Sequence, residues 1–144
     1  MKVSRHLFVG LVTSLAVVLL LGVAAPPVLH AKTHLGLKIP FEFYVGNQQF
    51  APGDYTVVVT GAYIKVSDTN GHSVFVLTDP IKKPERMNVG SGLLVFTHYY
   101  NTYFLSEVWR EGQSAGNELK KTALELQIAR NSINRDPIAL RVGR

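Results

Sequence analysis

His98 lies near the hydroxyls of Thr97 and Ser106, and a Ser or Thr beside a histidine base is the raw material of nucleophilic catalysis. The chemistry requires base and hydroxyl on one face. With Tyr100-Asn101 as a hairpin turn, His98 is expected opposite Tyr103 and Leu94 opposite Glu107, all four sharing a face. Thr97 and Ser106 then fall on the other face, opposite Phe104 and Val95, which parts hydroxyl from base. No G-x-S-x-G elbow presents a serine either. Glu107 and Glu111 flank Trp109, and two carboxylates about 5–10 Å apart beside an indole would suit glycoside hydrolysis. Against that, Glu107 is equally suited to solvent or to Arg110, and a lone Trp usually anchors a core. Tyr99, Tyr100 and Tyr103 surround the same turn, either as a sticky tip or as cross-strand pairs that stabilise a hairpin. His98, Tyr99, Tyr100, Tyr103, Glu107 and Trp109 are therefore the candidate surface or ligand contacts. No residue is assigned to catalysis, a cofactor or a metal.

Other chemistry is weakly supported. Beyond residue 31 the histidines are His34, His72 and His98, without an H-x-H or H-x-x-x-H pair. Asp68, Asn70 and Gly71 resemble part of a calcium loop but lack its ninth-position ligand and closing Glu. A hairpin turn explains them better, because Asn-Gly suits the primed turns that match strand twist. Gly90-Ser91-Gly92 is followed by no Lys-Ser or Lys-Thr pair, as a phosphate loop requires. The doublets Lys82-Lys83 and Lys120-Lys121 read as solvated surface, not as the basic stripe of a nucleic-acid binder.

The elements that must position these residues read as strands followed by one helix. Period-two alternation marks Leu37 to Val45, with Leu37, Ile39, Phe41 and Phe43 on one face. A short segment at Phe50 leads into the turn Ala51-Pro52-Gly53-Asp54. Strands follow over Tyr55 to Thr60, Tyr63 to Ser67, Ser73 to Thr78, Leu93 to Tyr99 and Tyr103 to Arg110. Pro80 and Pro84 make Asp79 to Asn88 a loop or broken edge strand, and Glu111 to Asn117 reads as a Gly- and Ser-rich loop. Thr122-Ala123-Leu124-Glu125 matches a capping box opening a helix over Ala123 to Asn131. The tail from Ser132, with Arg135, Arg141 and Arg144, is expected to be loosely ordered. The fold class is mainly β: an antiparallel meander of six to eight strands forming a small barrel or barrel-like sandwich, with one short C-terminal helix.

Length and composition bound the function. The 144 residues fit one domain, and the absence of Cys excludes disulfides, thiol nucleophiles and sulfur-ligated zinc. Lys2 and Arg5, the apolar run from Leu7 to Val23 and the Leu29-His30-Ala31 end read as a signal peptide over residues 1–31. An uncleaved anchor is the alternative, since the stretch from Leu7 to Ala25 matches the length needed to cross about 30 Å of hydrocarbon. Removal after Ala31 takes 144 residues to 113 and the formal charge from +5 to +3. That mild excess names no acidic partner.

The segments Ile39-Pro40-Phe41-Glu42-Phe43-Tyr44-Val45-Gly46, Ala51-Pro52-Gly53-Asp54-Tyr55-Thr56-Val57, Leu94-Val95-Phe96 and Tyr103-Phe104-Leu105-Ser106-Glu107-Val108-Trp109 form a set spread over the chain beyond residue 31. Together they resemble a group of short exported bacterial proteins found mainly in acidobacteria. The resemblance implies a secreted β-rich domain and transfers no catalytic or binding residue. The expectation is a periplasmic or secreted, non-enzymatic binding or structural module without a cofactor. A lipocalin-like carrier of a small apolar ligand and a secreted hydrolase are the alternatives. Its partner is a protein, a glycan or a small apolar ligand, not nucleic acid. A membrane enters only through an uncleaved signal segment.

Overall fold

The computed structural model describes residues 33–85, 90–132 and 136–141, so the expected signal segment lies outside the described residues. The strands are β1 (Thr33–Ile39), β2 (Phe43–Val45), β3 (Gln48–Phe50), β4 (Gly53–Thr60), β5 (Tyr63–Asp68), β6 (Ser73–Lys82), β7 (Leu93–Tyr99), β8 (Thr102–Trp109), β9 (Ala115–Leu119) and β10 (Asp136–Arg141). A helix, α1 (Ala123–Asn131), joins the last two. The sheet runs β1-β4-β5-β6-β9-β8, and β7 on the far side of β8 carries β10. Near its start β8 also pairs in parallel with β2, which carries β3. The remaining ladders are antiparallel. No ladder joins β1 to β10 among the described residues, so the sheet curls into a barrel-like sandwich and not a closed barrel.

Alternation builds the core. In β4, Tyr55, Val57 and Val59 point inward while Asp54, Thr56 and Thr60 face solvent. Ile64 and Val66 do the same in β5. These side chains meet Leu35 and Ile39 of β1, Leu94 and Phe96 of β7, and Leu105 and Val108 of β8 in one cluster. Phe43 sits at its centre, stacked 5.5 Å from Phe50 and edge-on to Tyr55 at 5.0 Å and Phe96 at 5.4 Å. Each such fully buried side chain stabilises the fold by about 1.5–3 kcal/mol relative to exposure. A second cluster, Leu93, Val95 and Trp109 with Ile81 against it, lies on the other face of β7–β8.

β6 passes from one layer to the other. Its first half pairs with β5 as far as Leu77, and from Thr78 it pairs with β9. A buried polar pin fixes this corner: Thr78 N donates to Ala62 O at 2.8 Å, and Asn117 Nδ2 donates to Thr78 Oγ1 at 2.9 Å and to Gly61 O at 3.1 Å. The strand therefore continues through Asp79–Lys82, where a loop or broken edge was expected. Because Thr78 turns its N–H toward β5, alternation turns the N position of Pro80 the same way, away from β9. The donor that proline lacks is not needed there.

Four further expectations are corrected. The run Leu37 to Val45 is not one strand: Pro40 ends β1, and β2 joins the opposite layer beside β8. The supposed loop over Glu111 to Asn117 contains the start of β9, whose Gly116 and Asn117 are selected by contact and not by strand propensity. The tail expected to be loose supplies β10, which pairs with β7 along six positions and places Leu140 against the core. The Asp68–His72 turn is not a primed Asn-Gly turn. Asp68 N bonds His72 O, Gly71 N reaches Asp68 O, and the left-handed position is Gly71 at φ +87°. That is a three-residue loop closed by a glycine bulge.

The helix runs over Ala123–Asn131 as expected, with Thr122 Oγ1 accepting from Glu125 N at 3.2 Å. The Glu125 carboxylate does not complete a reciprocal capping box. It turns instead to Tyr99 of β7, which docks the helix.

Candidate functional site

The β7–β8 hairpin carries all six sequence candidates, and the structure disperses them over both faces. His98 faces Tyr103 and Thr97 faces Phe104, as the Tyr100-Asn101 turn predicts. A bulge between Val95 and Phe96 then shifts the register, so Leu94 faces Val108 and Val95 faces Glu107. His98 therefore lies on the core-facing side and Glu107 on the opposite side with Trp109. They cannot share a reacting atom.

Each candidate has a local partner that accounts for it. Half-buried Tyr103 stacks on His98 with centroids 4.4 Å apart and on Phe41 at 4.1 Å. His98 Nε2 is buried and has no hydrogen-bond partner among the described residues. Buried Tyr99 donates to Glu125 Oε1 at 3.2 Å and accepts from Lys121 Nζ at 3.0 Å, while Lys121 lies 3.5 Å from Glu125. Lys121, in the segment between β9 and α1, thus ties α1 to β7 as well as being a surface cation. Tyr100 is exposed at φ 53° and donates to Asn131 O at 2.9 Å. Glu107 Oε2 accepts from Trp109 Nε1 at 2.7 Å, which fixes the indole over Gly116. Ser106 Oγ is held by Val95 O at 2.9 Å, and Glu111 is exposed. The three tyrosines do not form a joint tip, because Tyr100 alone of them is exposed.

Among the described residues no three His, Asp or Glu side chains are grouped to hold a metal ion. Asp68 spends Oδ1 on Asn70 N at 2.9 Å and His72 N at 2.8 Å, which shapes the turn. Tyr55 donates to Ala51 O, and its phenol titrates above the ordinary value of 10.0 because burial disfavours the anion and Asp68 repels it. A polar groove of about 700 Å³ is lined by Lys38, Asp54, Asp68 and Arg141 among others.

The surface that sequence reasoning missed is the outer face of β5–β6. Phe75 is 68%, Leu77 57% and Tyr63 52% exposed. Tyr63 stands directly opposite Leu77, and Lys65 opposite Phe75 with its Nζ 5.5 Å from the ring centroid. An apolar groove of about 460 Å³ adjoins this face, between Val45–Gln48 and Val74–Val76. The sequence held a signal for it. Val74-Phe75-Val76-Leu77 is unbroken apolar chain in a hairpin, so two of the four must face outward.

No family model, curated protein or solved structure matches this chain.

Proposed function

We propose that this protein is a non-enzymatic exported binding module that engages a protein partner through the outer face of β5–β6. The observation that carries this reading is the joint exposure of Tyr63, Phe75 and Leu77 on one face of the β5–β6 hairpin. Contiguous apolar surface of this kind marks interaction sites, and Lys65 among the rings adds a cation for orientation. Two further observations support it. The candidate catalytic groups His98 and Glu107 stand on opposite faces of one hairpin, which disfavours a hydrolase. The interior is filled by one cluster that includes Ile39, Phe43, Val57, Val66 and Phe96, whereas a lipocalin-like carrier holds its ligand in an apolar cavity of about 300–1,000 Å³ inside the sheet and the groove of about 460 Å³ lies along the β6 edge.

The test compares the full chain with Phe75→Ser/Leu77→Ser, both secreted by the native host and cross-linked in the cell envelope. The wild type is expected to form a defined heteromeric product that the variant loses, while the two unfold at the same urea concentration. Equal cross-linking by both proteins overturns the proposal.

A further inference from the structure

Among the described residues β6 has a neighbour on only one side along its first half, and this gap specifies what the proposed partner presents. Ser73–Leu77 pairs with β5, and β9 takes up the opposite edge only from Thr78 onward. Among the described residues no ladder occupies that edge from Ser73 to Leu77. β3 likewise pairs with β2 alone and leaves its second edge open. The apolar groove of about 460 Å³ lies here, with the β2–β3 turn as one wall and Val74–Val76 as the other. The Gln48 amide reaches the His72 ring by a hydrogen bond just before β6 begins.

The direction of the free groups follows from the corner. Thr78 N donates to Ala62 O, so the even-numbered residues of β6 bond with β5 and the odd-numbered ones turn their N–H and C=O away from it. Ser73, Phe75 and Leu77 therefore turn their backbone donors and acceptors toward that edge, where Phe75 lines the groove. Phe75 and Leu77 are also the residues with exposed side chains. On the inner side, Val74 and Val76 pack against the core but are only partly buried, whereas the corresponding Val57, Val59, Ile64 and Val66 of β4 and β5 are 0–1% exposed. Burial is thus incomplete where the backbone is left unpaired, and one added strand satisfies both.

We propose that Ser73–Leu77 receives an extended segment of the partner polypeptide as an added β-strand, with alternate apolar side chains against Val74 and Val76. The edge is five residues, about 17 Å at roughly 3.3 Å per residue, so the recognised segment is short. Main-chain bonds provide affinity and alternate side chains provide selection, the general logic of strand addition. This inference rests on the β5–β6 face being the binding surface, and it adds the backbone chemistry of the partner.

The test uses the full ¹⁵N-labelled chain and an acetylated, amidated Thr-Val-Thr-Val-Thr-Val peptide, against the same peptide N-methylated at alternate residues. The first peptide is expected to shift the amide signals of Phe75 and Leu77 and slow their hydrogen exchange by about tenfold. The methylated peptide, keeping the side chains but losing donors, is expected to do neither. Phe75→Pro removes a free N–H without touching the β5 ladder and is expected to abolish the effect, while Phe75→Thr only weakens it. Equal responses to both peptides, or none to either, overturn strand addition yet leave the cross-linking result standing. Loss of the Phe75→Ser/Leu77→Ser difference removes the docking face itself.

Discussion

Gly116→Ala tests the packing that holds β8 to β9. Trp109 and Gly116 are directly opposite in the ladder, and a Cβ at Gly116 would lie 2.6 Å from Trp109 Cε3, 2.7 Å from Cδ2 and 2.9 Å from Cε2. The indole has no room to retreat, since it is 1% exposed and its Nε1 is held by Glu107 at 2.7 Å. Overpacking of this kind costs about 1–3 kcal/mol, partly offset by about 0.5–1 kcal/mol that Ala gains over Gly in the unfolded chain. The net loss is about 1–2 kcal/mol, or roughly 5–10 °C in Tm for a domain of this size. Trp109 is the sole tryptophan, so urea unfolding followed by its fluorescence reads the perturbed site directly. A midpoint lower by about 0.5–1 M is expected, with a red shift of native emission. Gly36→Ala is the control: nothing lies within 4 Å of its Cβ position, and a change between zero and about 0.5 kcal/mol of added stability is expected. Equal effects at the two glycines, or unchanged stability and emission for Gly116→Ala, would refute the steric account.

Asn117→Ala leaves the Gly61 carbonyl without its side-chain donor and removes the clamp on Thr78. A loss of about 1–3 kcal/mol is expected, with faster hydrogen exchange at the Thr78 amide; a loss below about 0.5 kcal/mol would rule out the pin. His98→Phe keeps the stack on Tyr103 and deletes a buried nitrogen without a partner. Its urea midpoint is expected to rise, by about 1 kcal/mol in stability, and a fall would mean the nitrogen is satisfied. The neutral phenol of Tyr55 is favoured by the fold, first by burial and then by Asp68. Its contribution is full below the unfolded value near 10.0 and is lost as pH rises through the elevated folded value. Between about pH 8 and pH 11 the urea midpoint should therefore fall further for the wild type than for Tyr55→Phe; parallel falls would contradict this.

Local pattern was sufficient wherever one residue set one outcome. Alternation located β4, β5 and β7, the Thr122 cap located α1, and the Tyr100-Asn101 turn set His98 opposite Tyr103 before any tertiary contact was known. It failed where a distant contact chose the residue. β9 begins with small and polar types because Gly116 must pass beneath Trp109 and Asn117 must reach Gly61 across 56 positions of chain. β10 contains Pro137 and three charged or exposed positions, and is ordered by its ladder with β7. The bulge at Val95/Phe96 depends on how β7 and β8 twist together, and that single irregularity put Glu107 and His98 on different faces.

The sequence by itself determined a β-rich chain without thiol chemistry, the places of its hairpin turns at Asp68–His72 and Tyr100-Asn101, and the helix α1, because these depend on neighbours a few residues apart. Only the tertiary structure decided that the sheet stays open among the described residues, that five of the six candidate side chains are wholly or partly buried structural supports, and that Phe75 and Leu77 face solvent beside an edge no described strand pairs with. A run such as Val74–Leu77 states that two side chains must point outward. Which edge lacks a partner depends on where β3 and β9 end in space, and strand ends meet through loop paths that residue spacing does not encode.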